Sequence, residues 1–329
     1  MLRAARGLSQ AALATSSGLA QSRLSRLEQG INSLSRQEAE SLAAALDVLP
    51  GVLGEGADEF ISARVFHRKR ASLPVKMDRQ IRADAAVRRF QLRRALEAWL
   101  PPLQVIHNPL PADGTYSPED RATETRASLG LGMEPIPSMT AALEGAGVMV
   151  VAVDLGSAKL DAIGGWPDRG APIILLSTHA PGDRQRFTLA HELGHAVLHD
   201  GVSEDQEAEA DRFASAFLFP PAAARTELQH PTLGTFVALK RRWGISIAAL
   251  GRRARDLGFM SEREYREFNI HLSSTGMHRK EPVEMEPERP TLIRDTLAKV
   301  TRTGTTLDDL ANLAGMSVNS FIRTFVEEP

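Results

Sequence analysis

Residues 183–199 read DRQRFTLAHELGHAVLH, and residues 204–220 read EDQEAEADRFASAFLFP. In the first stretch the apolar points Phe187, Leu189, Ala190, Leu193, Val197 and Leu198 predict a helix over 183–198. Inside it, His191, Glu192 and His195 form an H-E-x-x-H pattern. Residues four apart differ by about 40° around a helix axis, so both imidazoles leave one face and can bind one metal ion. Glu192 lies about 100° from His191, near enough to work on a metal-activated water as general base and acid without being a ligand. A chain with nine histidines can also place such a pair by chance. Here the motif follows an apolar strand and sits in an apolar-flanked helix, which favours the metal reading.

A catalytic metal needs a third protein ligand and an open position. The second stretch predicts a helix over 204–219, stopped by Pro220-Pro221. Glu207, Ala210, Asp211, Ala214 and Leu218 share one face, and the apolar members make that face the inner one. Glu207 is therefore the best third ligand, with Glu204 in reserve. Asp211, one turn on, is placed to orient a ligating histidine. Glu209 and Asp205 point the opposite way and read as solvated carboxylates. His199, two turns beyond His191, reads as a cap or as support behind the ligands, with a role as a further ligand as the alternative. His179, just after a strand, is a candidate for lining a substrate cleft or stabilising an oxyanion, with an ordinary loop histidine as the alternative. Arg184 and Arg186 at the helix start read as structural.

Outward from the motif, helices are expected at 118–129 and 138–145, and strands at 148–153, 160–165 and 173–176. Residues 232–268 read as two or three helices. The stretch 276–290, with three prolines and many charges, reads as a loop or linker. TTLDDLANLAGMSVNSFIRTF (305–325) has helix-turn-helix rhythm but no basic recognition face, so it is assigned to packing or dimerisation.

Toward the start of the chain, Leu8-Ser9-Gln10 opens a helix that ends at Ser17-Gly18. A second runs Gln21–Glu28 to Gly30, and Ser35 caps a third with Glu38 in capping-box position. Residues 50–75 hold three glycines, two prolines and the cluster Arg68-Lys69-Arg70, and read as a linker. Residues 76–99 read as a basic amphipathic helix ending at Pro101-Pro102.

The formal net charge is −2, but the total hides a division. Residues 1–94 hold 16 Lys and Arg against 9 Asp and Glu, a net +7, which leaves −9 on residues 95–329. A basic first third on an acidic remainder suggests two jobs in one chain. With no cysteine, disulfide frameworks, thiolate metal sites and a cysteine nucleophile are excluded, so any metal must be held by His and carboxylate. Together with the lack of an apolar run of roughly 20 residues, this predicts a cytoplasmic protein with no membrane partner.

RQRFTLAHELGHAVLH (184–199), EAEADRFASAFLFP (207–220) and KRRWGISIAALGRRARDLGFMSEREYREFN (240–269) resemble the ImmA/IrrE metallopeptidases over about residues 85–290. That resemblance implies a gluzincin-like fold in which His191, His195 and Glu207 bind zinc and Glu192 is the general base and acid. It also implies activation by stress or DNA damage and cleavage of a helix-turn-helix repressor. Phe219 stands where a methionine usually precedes the proline, and nothing catalytic depends on it. Zinc suits the ligands best, and manganese binds similar ligands more weakly.

LSQAALATSSGLAQSRLSRLEQGINSLS (8–35) resembles the XRE/Cro helix-turn-helix family. The resemblance implies that Gln10 opens the motif, that Gln21, Ser22 and Arg26 face bases, and that Arg23 meets phosphate. Gln pairs with adenine and Arg with guanine in the major groove. Such domains usually open with a longer first helix. Either this one leans on its neighbour or the start of the chain is misassigned. The basic stretch 61–94 either extends the DNA footprint or is a solvated helix face.

The expected fold class is thus mainly α with a small β-sheet (α+β). The expected domains are a helix-turn-helix domain at 1–50, a linker and basic helix at 51–84, a metallopeptidase domain at 85–275, and a linker with a small helical region at 276–329. The expected function is a stress-responsive transcriptional regulator that pairs operator binding with zinc-dependent cleavage of a repressor or of itself. A homodimer on paired half-sites is expected with it. The alternative is a regulator whose metal site is structural or sensory, in a toxin–antitoxin or prophage setting.

Overall fold

The computed structural model describes residues 1–54, 63–69, 74–111, 113–157, 160–167, 170–200 and 204–327. Four helices open the chain: α1 (Leu2–Ala5), α2 (Gln10–Ser17), α3 (Gln21–Glu28) and α4 (Arg36–Leu46). Their ends follow the caps expected from the residues. The Ser9 side chain accepts from the Ala12 amide, Gly18 closes α2 at φ 71°, and Ser35 and Glu38 form a reciprocal capping box. Leu13, Leu24, Leu42 and Leu46 are buried together.

Next comes strand β1 (Ala63–Lys69) and then a long helix, α5 (Val75–Leu96). Residues 50–75, expected as a linker, thus contain a strand at 63–69. Arg70 of the basic cluster lies outside the described residues. Nor is α5 merely a solvated helix. Ala83, Val87 and Phe90 on one side complete the core of the first four helices, while Ile81, Ala85, Leu92, Ala95 and Leu96 on the other enter the core under the sheet. Its basic residues are largely engaged: Arg82 pairs with Asp78, Arg88 with Asp84, and Arg94 donates to the Leu313 carbonyl. The short α1 packs on α5, so the first domain does lean on its neighbour.

After α6 (Pro118–Ser128) and α7 (Met139–Gly145) come β2 (Met149–Val153), β3 (Leu160–Pro167) and β4 (Ile173–Ser177). The sheet order is β1-β3-β4-β2. β2 and β4 run parallel, and β3 is antiparallel to both of its neighbours. Both faces are covered, as the unbroken run Ile173–Leu176 demands. Ile173 and Leu175 face α5, whereas Ile174 and Leu176 join the larger core with Leu189, Leu193, Phe213 and Phe217.

That larger core is built by α8 (Gly182–Leu198), α9 (Gln206–Leu218), α10 (Pro221–Glu227), α11 (Leu233–Trp243), α12 (Ile247–Asp256) and α13 (Glu262–Ser274). The loop that follows is pinned by two carboxylates. Glu281 takes the Lys240 ammonium at 2.6 Å and the Ile247 amide at 2.9 Å. Glu288 takes the amides of Met139 and Thr140 and the Arg186 guanidinium. Finally α14 (Leu292–Arg302), α15 (Leu307–Ala314) and α16 (Val318–Phe325) pack over the second face of the sheet. They also hold the end of α4: Ser320 donates to Asp47 at 2.7 Å, and the Leu49 amide donates to the Gly315 carbonyl at 2.8 Å. Among the described residues, no helix is long and apolar enough to cross a membrane.

Candidate metal centre

The H-E-x-x-H residues lie in the last two turns of α8, and α9 crosses directly over them. Gly194 permits that crossing. A Cβ there would lie 3.1 Å from the Phe213 ring and 3.3 Å from the Ala210 backbone, so a side chain would push α9 away. The close approach brings Glu207 onto the histidines. His191 Nε2 and His195 Nε2 are 3.0 Å apart, and the Glu207 carboxylate oxygens stand 3.5 Å from the first and 3.4 Å from the second. These three residues form a cluster able to hold one metal ion. The histidines are 1% and 0% exposed, while the Glu207 side chain is 55% exposed, so the site opens to solvent on the carboxylate side.

Behind the ligands, each imidazole is held through its other nitrogen. His191 Nδ1 is 2.9 Å from Asp211 Oδ1, as the spacing of Glu207 and Asp211 anticipates. His195 Nδ1 is 3.0 Å from His199 Nδ1, and His199 Nε2 is 3.0 Å from Glu209 Oε2. Only one set of tautomers serves both a ligand role and these contacts. His191 Nδ1–H donates to Asp211, His195 Nδ1–H donates to His199 Nδ1, and His199 Nε2–H donates to Glu209. Both Nε2 lone pairs are then free to coordinate. In this arrangement His199 stands behind His195 and supports it.

Glu209 corrects its reading as a solvated carboxylate. His199 has left the helix, with φ −121° and ψ 130°, and so reaches a face of α9 that a wheel drawn for one flat contact leaves outside. Glu204 and Asp205 are exposed and do not join the cluster.

Electrostatics suit a cation. Burial pushes the His195 imidazole below its ordinary value and does the same to His199, which favours the neutral, ligating form. Contact with His191 and His195 holds the Glu207 carboxyl well below the usual carboxylate range. Arg252 comes within 3.3 Å of Asp211 Oδ2, so Asp211 bridges His191 to a surface cation.

Glu192 is fully buried beside β3. A Cβ built at Gly164 would collide with Glu192 Oε2 and lie 2.8 Å from Trp166 Nε1. Glycine at 164 thus makes the space that the Glu192 carboxylate occupies. The sequence held this signal as the pair Gly164-Gly165 inside an expected strand, where glycine marks a close approach. His179 sits outside the cluster, exposed, with Nε2 3.0 Å from Asp154. Arg184 binds the buried Asp161 at 2.6 Å, and Arg186 ties α8 to Glu288 and the Ile136 carbonyl, so both are structural.

Residues 143–255 match the family model described as the IrrE N-terminal-like domain, and residues 1–54 match one described as a helix-turn-helix domain. The chain joins a helix-turn-helix domain to an IrrE-like domain. Over 100 residues it is 34% identical to the radiation response metalloprotease IrrE of Deinococcus radiodurans. That match covers 27% of this chain and 30% of the relative, so the chain spans less than a third of the curated protein it matches. The IrrE-like match contains β2 to β4 and all the residues around the candidate metal site.

On the helix-turn-helix domain, Gln21, Ser22 and Arg26 are exposed on α3. Gln10 and Arg23 are engaged within the domain. Gln10 Nε2 donates to Glu28 at 2.7 Å. Arg23 donates to both carboxylate oxygens of Glu38, at 2.7 and 2.9 Å, and to the Ser33 carbonyl. With the Ser35 cap, the Arg23 pairing brings the Glu38 carboxyl down to about 2.

Proposed function

We propose that this protein is a DNA-binding transcriptional regulator whose IrrE-like domain is a zinc-dependent endopeptidase. The observation that carries the reading is the pair of buried Nε2 atoms facing each other beside Glu207, each imidazole fixed from behind by its Nδ1. This donor set fits a tetrahedral zinc site that leaves one position for substrate or water. His191, His195 and Glu207 would hold the ion.

When bound, a divalent cation here supplies Lewis acidity to a peptide carbonyl and eases deprotonation of water. The chain's own residues do the rest. Glu192, buried next to the ligands, takes the proton from the attacking water on its carboxylate and returns it to the leaving amine. Asp211 and the His199–Glu209 pair keep both imidazoles in the ligating tautomer.

The substrate class we propose is a helix-turn-helix repressor, or this chain itself, cut in response to stress. α3 would read operator bases through Gln21, Ser22 and Arg26, in a dimer on paired half-sites in the cytoplasm, while Gln10 and Arg23 brace the domain through Glu28 and Glu38. The test is incubation of the zinc-loaded protein and its Glu192→Gln variant with candidate repressors from neighbouring genes. Cleavage in the wild type alone supports the reading, and equal persistence of every candidate with both proteins removes it. The complete burial of Glu192 favours one alternative, a site that regulates without turnover. In that case Glu192→Gln would retain regulation in cells while His191→Ala loses it.

A further inference from the structure

β1 belongs to neither matched domain. It lies between residue 54, where the helix-turn-helix match ends, and residue 143, where the IrrE-like match begins. Within the matched domain the sheet consists of β2, β4 and β3, and β3 is its edge. β1 covers that edge along its length, antiparallel, from Ala63 opposite Pro167 to Lys69 opposite Leu160. Phe66 pairs with Gly164 and Val65 with Gly165. Gly164 is the residue whose missing side chain leaves room for the Glu192 carboxylate. The same strand packs on α8, the helix that carries the metal ligands.

An extended peptide that adds to a sheet edge gains main-chain hydrogen bonds along the whole strand. The edge of β3 is where such a peptide would pass Glu192, and the chain's own segment is already there. We propose that β1 is an intramolecular occupant of the substrate-peptide lane, so that an extended segment of the substrate binds only by replacing it. This deepens the peptidase reading and rests on it.

It gives the inter-domain segment a job that a tether would not have. Residues 55–74 join the DNA-reading domain to α5, and one strand within them closes the lane. The resting chain is then slow toward proteins, because a tethered strand competes at an effective concentration on the order of millimolar.

The test uses the full chain with Glu192→Gln in every variant, so that binding is read without turnover. One variant carries Val65→Pro with Phe66→Pro, which removes whichever of the two adjacent amides points to β3, and a second replaces residues 63–69 by a Gly/Ser segment of equal length. The probe is a fluorescent, end-blocked heptapeptide of sequence ARVFHRK, followed by anisotropy and by hydrogen exchange of residues 160–167. Both variants are expected to bind the probe at least tenfold more tightly than the parent. Their β3 amides should exchange faster, and added peptide should restore protection. Equal affinity in parent and variants, or binding that leaves β3 unprotected, overturns the proposal. So does loss of folding in both variants, which would make β1 a strand the domain cannot lack. If the same changes on a Glu192 background yield no cleavage of any protein, the peptidase reading falls while the binding result still judges the lane.

Discussion

Asp211→Ala tests the support behind the metal ligands most sharply. The Asp211 carboxylate accepts from His191 Nδ1 at 2.9 Å and is the group that fixes which nitrogen of His191 keeps its proton. Removing such a partner typically lowers metal affinity 10- to 100-fold, or about 1.4–2.7 kcal/mol. Asp211→Asn keeps an acceptor and loses the charge, so it should fall between wild type and Ala. Glu209 acts one link further away, through His199. In Glu209→Ala the His199 ring remains to accept from His195, so the loss should stay below about tenfold. Arg252 is left without Asp211 in the alanine variant, but its side chain is 46% exposed, and water replaces a contact of that kind at little cost. The assay is zinc competition against a chromophoric chelator, with thermal melts of the metal-free proteins to separate affinity from folding. Zinc affinity of Asp211→Ala within twofold of wild type would refute the reasoning. So would a larger loss in Glu209→Ala than in Asp211→Ala.

Other expectations follow from the same geometry. Gly164→Ala should retain zinc but lose cleavage by on the order of 100-fold, because the new methyl must displace Glu192 and a displacement of about 1 Å has that scale of effect; unchanged cleavage with zinc retained would contradict it. In the metal-free protein, burial lowers the His195 pKa from its ordinary 6.5, so the unfolded chain binds a proton there that the folded chain refuses. Stability is therefore fully present above 6.5 and declines as pH falls below it. The melting temperature should drop between pH 7.5 and 5.5, and a flat or rising profile would count against a neutral, buried His195. Arg26→Ala should cost about 1–3 kcal/mol of base discrimination at one operator position without moving the melting temperature, whereas Arg23→Ala should lower the melting temperature through loss of its pairing with Glu38. Anisotropy on matched and mismatched operators, beside melts, separates the two, and full discrimination by Arg26→Ala would remove it from the base-reading face.

The site was largely legible because its signal is local. A four-residue repeat on one helix and a face calculation on the next suffice to bring His191, His195, Glu207 and Asp211 together. What sequence reasoning missed depends on where the chain goes after a helix ends or on partners far away. Glu209 needs the extended backbone at His199 to come within reach. β1 has the composition of a basic loop, and its strand character comes from pairing with β3 about a hundred residues later. α5 reads from the sequence as a basic amphipathic helix, either extending the DNA footprint or solvated, because its arginines dominate the pattern. Small residues such as Ala83 and Ala85, which let it be buried on two sides, carry little periodic signal. The loop at 276–290 holds its place through Glu281 and Glu288 acting on the amide ends of α12 and α7, contacts that only the folded chain brings together.

Zinc-edge X-ray absorption on the full chain, titrated with zinc beside His195→Ala and Glu207→Gln, tests the central claim most directly. The expected result is one zinc per wild-type chain with two imidazole nitrogens at about 2.0–2.1 Å and a carboxylate oxygen. His195→Ala should lose the tight site, and Glu207→Gln should bind more weakly with an altered oxygen shell. A wild-type chain that takes up no zinc, or a His195→Ala spectrum identical to that of the wild type, would contradict it.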